Sequence, residues 1–342
     1  MDGQESYTEI YYFEKPSLRP TFRTWVKHIL LLLVTFATAT VAGSLYPFGP
    51  FPILPESDPQ TWPEVLVFVA HLPRAYIGLI SGVVYQLATE PAYLIHGLSF
   101  SVSLLFILVA HEMGHYIACR IYRVDATLPY FLPTPPMIGP AGTFGAFIRI
   151  RSPFPTRKSI FDIGIAGPIA GFLALLPIAA IGVWTAQPAP SQVIDNYGGL
   201  VFADPLTMQI LAAIAGVNLD ASYGNAFYYA AWVGLLVTAL NLIPAGQLDG
   251  GHSIYAVFGS TVHRWAGRVA FVIMAVLSVV GLLYFKSPSG FLIAVLLAVM
   301  LRIPHPEPWD DSPLDAKRKV LALVTLVVFI LSFVPFPIRL VI

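Results

Sequence analysis

About seven stretches of this chain are apolar for long enough to cross, or nearly cross, the roughly 30 Å hydrocarbon layer of a bilayer, which narrows its folds to those of membrane proteins. They run over residues 29–45, 92–121, 160–184, 225–243, 266–285, 290–301 and 320–341. Only 11% of the 342 residues are charged, against roughly 25% in a soluble domain, so solvated side chains could not cover a compact surface. The expected fold is therefore an all-α polytopic membrane protein with roughly seven transmembrane helices. Lys+Arg number 19 and Asp+Glu 19, which leaves no basic excess for nucleic acid. Cys119 is the single cysteine, so neither an internal disulfide nor a C-x-x-C site is available.

Four regions follow from the pattern. Residues 1–24 are polar, mixed in charge and broken by Pro16 and Pro20, and read as a mobile N-terminal tail. Residues 25–91 hold the first transmembrane helix and a second stretch, 65–89, in which His71, Pro73 and Arg74 dilute the apolar signal. That stretch is expected to lie in the interface or re-enter, without a net crossing. Residues 92–259 carry the motifs and form the expected core, and 260–342 the C-terminal helices. A cleaved signal peptide competes at 29–45, but the long polar lead favours a retained helix.

Loop charge orients the chain, because Lys and Arg favour the cytoplasmic side. Arg120, Arg123, Arg149, Arg151, Arg157 and Lys158 lie between the second and third runs, whereas residues 187–223 carry Asp195, Asp204 and Asp220 with no Lys or Arg. These loops are expected on opposite faces, the basic one cytoplasmic. Arg19, Arg23, Lys27, Arg264, Arg268 and the Lys317, Arg318, Lys319 cluster then share that side.

The chemistry concentrates in His111-Glu112-Met113-Gly114-His115, the pattern H-E-x-x-H near the cytoplasmic end of the second run. Positions four apart share a helix face, so both imidazoles can ligate one metal ion with Glu112 beside it. Ionisable residues within a membrane helix cost on the order of 2.5–3.5 kcal/mol each unless they face a cavity or partner. A catalytic zinc ion takes three protein ligands and leaves the fourth position for the reacting water. The best third donor is Asp249, in the Pro- and Gly-broken segment from Asn241 to His252 at the end of a later run. Irregular backbone at that depth is tolerated where it lines a wet cavity. His252 is expected to support the site or lie at the interface, and Asp162 to cap a helix or steady a ligand. Cys119 reads as packing, Glu90 and His96 as interfacial residues, and Gly164, Gly167 and Gly171 as close helix packing.

HEMGH in one apolar run and NLIPAGQLDGGH at the end of another resemble the site-2 protease family of intramembrane zinc metalloproteases. Gly142-Thr143-Phe144-Gly145-Ala146-Phe147 is similar to the family's loop between the two motif helices, and residues 164–171, GIAGPIAG, to its next helix. The likeness extends over residues 94–259. It implies His111, His115 and Asp249 as ligands of one zinc ion, Glu112 as general base, and Asn241 as a substrate contact. Residues 122–159 are too few to hold the PDZ domain of many bacterial members. The chain is thus closer to the PDZ-free branch that includes the plant plastid yellow-green proteins, with which it shares Leu128 to Phe131 and GTFGAF. Its second motif reads PAGQLDGG where other members have a doubled-proline form.

The implied activity is hydrolysis of a peptide bond within or near a transmembrane segment of a membrane protein substrate, inside the lipid bilayer. The implied location is the bacterial inner membrane, or a plastid membrane in a eukaryote, with the active site near the cytoplasmic face. A helical substrate hides its carbonyls in i to i−4 bonds and must unwind before attack. Phe144, Ala146, Ile148 and Ile150 alternate as in a strand. A short membrane-associated β segment there, with Gly142, Phe144, Gly145 and Phe147, is expected to offer an edge to the unwound substrate. A membrane metal transporter or binding protein using the same ligands, and an inactive scaffold, are the other readings.

Overall fold

The computed structural model describes residues 20–45, 61–137, 141–188 and 199–341. Most of the expected N-terminal tail, including Arg19, lies outside the described residues, as does Asp195.

The first long helix, α1 (Phe22–Leu45), runs antiparallel to α3 (Pro91–Ile121). Thr40 Oγ1 donates to Ser101 Oγ at 2.8 Å and Ser44 Oγ to Tyr93 O at 3.4 Å near one end. At the other, the His28 ring meets Pro129 O at 2.8 Å, just past α3. Leu45 and Pro91 therefore lie at the same end of the bundle. Between them, α2 (Trp62–Thr89) is a single helix that continues through Pro73 and joins α3 through Glu90 alone. Its 28 residues are long and apolar enough for a span, where a segment lying in the interface or re-entering, without a net crossing, was expected. The diluting residues lower its hydropathy, and the helix continues past Pro73 although that residue has no N–H to donate.

After α3 comes a two-stranded antiparallel sheet, β1 (Tyr130–Pro133) with β2 (Thr143–Phe147), in which Tyr130 faces Phe147 and Phe131 faces Ala146. The strand is shorter than the alternation over 142–151 suggested. Beyond Phe147 the pairing becomes irregular, with Ile150 in an isolated bridge to Ala126.

Helix α4 (Arg157–Trp184) starts on a reciprocal cap: Ser159 N donates to Thr156 Oγ1 at 3.0 Å and Thr156 N to Ser159 Oγ at 3.2 Å. It packs most extensively on α3, and then on α6 (Ala226–Asn241) and α7 (Asp249–Phe258). Between α4 and α6 lie β3 (Gln187–Pro188), β4 (Gly199–Phe202), α5 (Leu206–Ala215) and β5 (Ser222–Tyr223). Leu104 and Ile107 of α3, Leu175 of α4, Met208 of α5 and Trp232 and Leu235 of α6 are buried together in the main core. The chain continues through α8 (Ser260–Phe285), α9 (Ser289–Met300), α10 (Ala316–Ser332) and β6 (Ile338–Val341), which pairs with β4.

Among the described residues, five helices are long and apolar enough to cross a membrane: α1, α2, α3, α4 and α8. The polytopic helical fold is as expected, while the count of seven is not reached by length and composition among the described residues. The runs at 225–243, 290–301 and 320–341 yield helices of only 16, 12 and 17 residues. The last stops early because Pro335 and Pro337 cannot continue a helix.

Candidate metal centre

Two helices bring the three donor residues together. His111 and His115 lie one turn apart on the inner face of α3, both buried, and Asp249 opens α7. The Nε2 atoms of His111 and His115 are 3.2 Å apart, and each lies 3.3 Å from Asp249 Oδ2. Tetrahedral arms of about 2.0–2.1 Å to a zinc ion set donor atoms roughly 3.3 Å from one another, so this donor set fits zinc in both chemistry and spacing. It is the one such group of three His, Cys, Asp or Glu residues among the described residues.

The rings are aimed by backbone as much as by side chains. Ile163 O, on α4, lies 2.6 Å from His115 Nδ1. A carbonyl only accepts, so Nδ1 carries the ring proton and Nε2 keeps its lone pair for a metal. Asn241, the last residue of α6, places Nδ2 3.2 Å from His111 Nε2. Glu112 is buried beside the three donors and accepts from the backbone N–H of Ile148, directly after β2. The strand thus ends at the general-base candidate.

Close backbone approach makes this geometry possible. A Cβ on Gly167 would stand 2.1 Å from His115 Nε2, so only glycine lets α4 pass over that ring. Gly250 plays the same part at α7, where a Cβ would meet Leu242 O at 2.0 Å. These contacts fold the segment after Asn241 into a tight turn that delivers Asp249 to α3. The Gly164, Gly167 and Gly171 spacing, read as helix packing, is packing against histidines: Gly167 faces His115, Gly171 faces His111 and Gly164 faces His252.

The remaining candidates are placed as follows. Phe144 and Phe147 are exposed on β2, with Phe147 stacked on Tyr130 at 5.5 Å. Gly145 has open space around it, and its N–H donates to Thr143 Oγ1. Gly142 is enclosed: its carbonyl accepts from Thr38 Oγ1 at 2.7 Å and Thr134 N at 3.1 Å. Asp162 is not the cap of α4. It pairs with Arg318 of α10 (2.6 Å) and accepts from the Tyr122 hydroxyl, tying α3, α4 and α10 together one residue before Ile163. Burial, then the hydrogen bond to Asp162, push the Tyr122 phenol above its ordinary pKa. Cys119 is buried in apolar packing, as expected. His263, His305 and Arg318 were not singled out from the sequence as neighbours of the site; the backbone groups of Ile148 and Ile163 leave no residue-type signal at all.

Residues 99–285, more than half of the chain, match the family model of Peptidase family M50. The chain belongs to Peptidase family M50. This is the site-2 protease family that its motifs resemble. Among relatives, it is 26% identical over 244 residues to "Probable zinc metalloprotease EGY1, chloroplastic" of Arabidopsis thaliana, covering 70% of this chain and 43% of that protein. "Probable zinc metalloprotease EGY2, chloroplastic" of the same plant is 29% identical over 251 residues, covering 70% and 42%. "Probable zinc metallopeptidase EGY3, chloroplastic" is 26% identical over 212 residues, covering 57% and 35%. The chain thus spans about two-fifths of the length of these relatives or less. No solved structure matches it.

Proposed function

We propose that this M50 member is an intramembrane zinc endopeptidase that cleaves a membrane protein substrate within or near a transmembrane segment. The observation that carries the reading is the convergence of His111, His115 and Asp249 at 3.2–3.3 Å, from helices that meet only in the folded chain. These residues would hold one zinc ion, which when bound acidifies water and polarises the scissile carbonyl. Glu112 takes the proton from the attacking water and returns it to the leaving amine. The Ile163 carbonyl keeps the His115 proton on Nδ1 throughout, and Asn241 steadies His111 or contacts substrate. The free edge of β2, bearing Phe144, Gly145 and Phe147, receives the unwound substrate as an added strand ending at Glu112, while Gly142 anchors the hairpin to α1.

The basic residues Arg120, Arg123, Arg157, Lys158 and Lys317–Lys319 cluster at the end of the bundle nearer the metal centre, which supports a cytoplasmic-side site in a multi-pass protein of the bacterial inner membrane or its plastid counterpart. Glu112→Gln tests the activity. Expected is a loss of cleavage of about 10²–10⁴-fold on a transmembrane peptide, the usual worth of a positioned base, with zinc content unchanged by metal analysis. Cleavage that survives this change, or a native protein without zinc, would leave a transporter or scaffold as the better reading.

A further inference from the structure

Residues 302–315 lie beyond the stretch that matches the family and pack against the start of α4 and the turn before Asp249. Three backbone hydrogen bonds join them to the start of α4: Trp309 N to Phe154 O, Asp310 N to Pro155 O (both 3.2 Å) and Arg157 N to Asp310 O (2.9 Å). Gln247 Nε2, two residues before Asp249, donates to Pro304 O at 2.7 Å. Between these attachments stands His305, its ring stacked on Tyr255 at 4.2 Å and 13° and edge-on to His252 and His263 at 4.8 and 4.7 Å.

The ring protons in this cluster can be assigned from their acceptors. His305 Nδ1 lies 2.8 Å from Pro306 O, so it carries the proton and Nε2 is left with a lone pair. His252 Nδ1, 2.8 Å from that Nε2, therefore donates into it. His263 Nε2 donates to Gly246 O at 2.9 Å, in the turn that leads to Asp249. Burial, then the neighbouring His252 and His263, hold the His305 pKa down to about 3, which keeps the ring neutral. His252 sits in the first turn of α7, whose opening residue is Asp249.

We propose that His305 is a positioning residue for the metal centre: by accepting the His252 Nδ1 proton it fixes the first turn of α7, and so the Asp249 carboxylate, against His111 and His115. The proposal rests on the reading of Asp249 as a zinc ligand. It makes the connector between α9 and α10 part of the site, although the connector contributes no ligand and no reacting group.

The test is zinc affinity, by chelator competition on the full chain in detergent micelles, for native protein and the variants His305→Phe, His305→Gln and His305→Asn. Phe keeps the stacking on Tyr255 and removes the acceptor; Gln restores an acceptor at the reach of Nε2; Asn is polar but too short. Expected is a rise in the zinc dissociation constant of about tenfold for Phe and Asn, the low end for loss of an outer partner, and recovery to within about twofold for Gln. A Phe variant with native affinity overturns the proposal, as does equal loss in all three, which would mean packing alone. If the Phe variant does not fold, the contrast between Gln and Asn decides. A native protein that binds no zinc would fail the metal reading itself, a separate result from native zinc binding that His305 does not influence.

Discussion

The molecule holds two clusters of imidazoles, and among the described residues only one brings three donor atoms together as a metal ion would need. In the first, the His111 and His115 ring centroids are 4.9 Å apart; in the second, those of His252 and His305 are 4.8 Å apart and those of His263 and His305 4.7 Å. Ring proximity is the same, and what differs is where the lone pairs go. At the first cluster Ile163 O takes the His115 Nδ1 proton, and both Nε2 atoms converge with a carboxylate oxygen. At the second, Gly246 O and Pro306 O each take a ring proton, His252 and His305 satisfy one another, and the stacked partner is Tyr255. A candidate metal centre is thus marked by ring nitrogens that converge with a compensating anion, and a count of histidines does not identify one.

The sharpest way to break this contrast is to remove the anion. Asp249→Ala leaves the two imidazoles without the carboxylate whose oxygen converges on both Nε2 atoms. Zinc affinity should fall by more than the roughly ten- to hundredfold that an outer partner costs, as read by chelator competition. Retention of native affinity would mean that the acid is a turn residue and that another donor completes the site.

What the sequence disclosed about these clusters follows the same division. His111, Glu112 and His115 were legible because an i, i+4 spacing needs only local helix geometry. Asp249 was legible because a Pro- and Gly-broken segment carrying an acid is costly at membrane depth unless it lines a cavity. The family likeness supplied the roles and the link between the two motifs. His305 carried no such signal: it lies in a polar connector, and only the folded chain brings it to His252. The backbone of Ile148 and Ile163 was equally silent, since any residue type supplies an N–H or a carbonyl. In the fold, hydropathy located the helices, but it did not set the end of α10, where the prolines after Phe333 stop the helix short of the apolar run.

A second way to sharpen the contrast is to disturb the approach of α4 to the first cluster alone. Gly167→Ala puts a methyl group 2.1 Å from His115 Nε2, with the α4 backbone on one side and the ring on the other. The ring must turn or the helices must part, and overpacking of this kind costs about 1–3 kcal/mol. Lower thermal stability together with weaker zinc binding is expected. Gly171→Ala, whose methyl would meet His111 Cβ at 3.1 Å, should show the same effect in weaker form.

The smallest effect distinguishes the clusters by proton uptake. The folded His305 ring has its pKa lowered from 6.5 to about 3 by burial and by His252 and His263, while the unfolded chain binds the proton near pH 6.5. The unfolded state therefore gains protons first on acidification, and the stability that a neutral His305 contributes is present above pH 6.5 and lost as pH falls toward 3. Between pH 6.5 and 5.5 one such ring accounts for about 1 kcal/mol. His305→Gln keeps the acceptor but has nothing to titrate, so its melting curve should lose about that much less stability over the same interval than the native chain. Zinc release through the first cluster is common to both proteins and cancels in the difference. Identical pH dependence of the two would mean that the second cluster already carries a shared proton, and the assignment of His252 as a neutral donor to His305 would have to be given up.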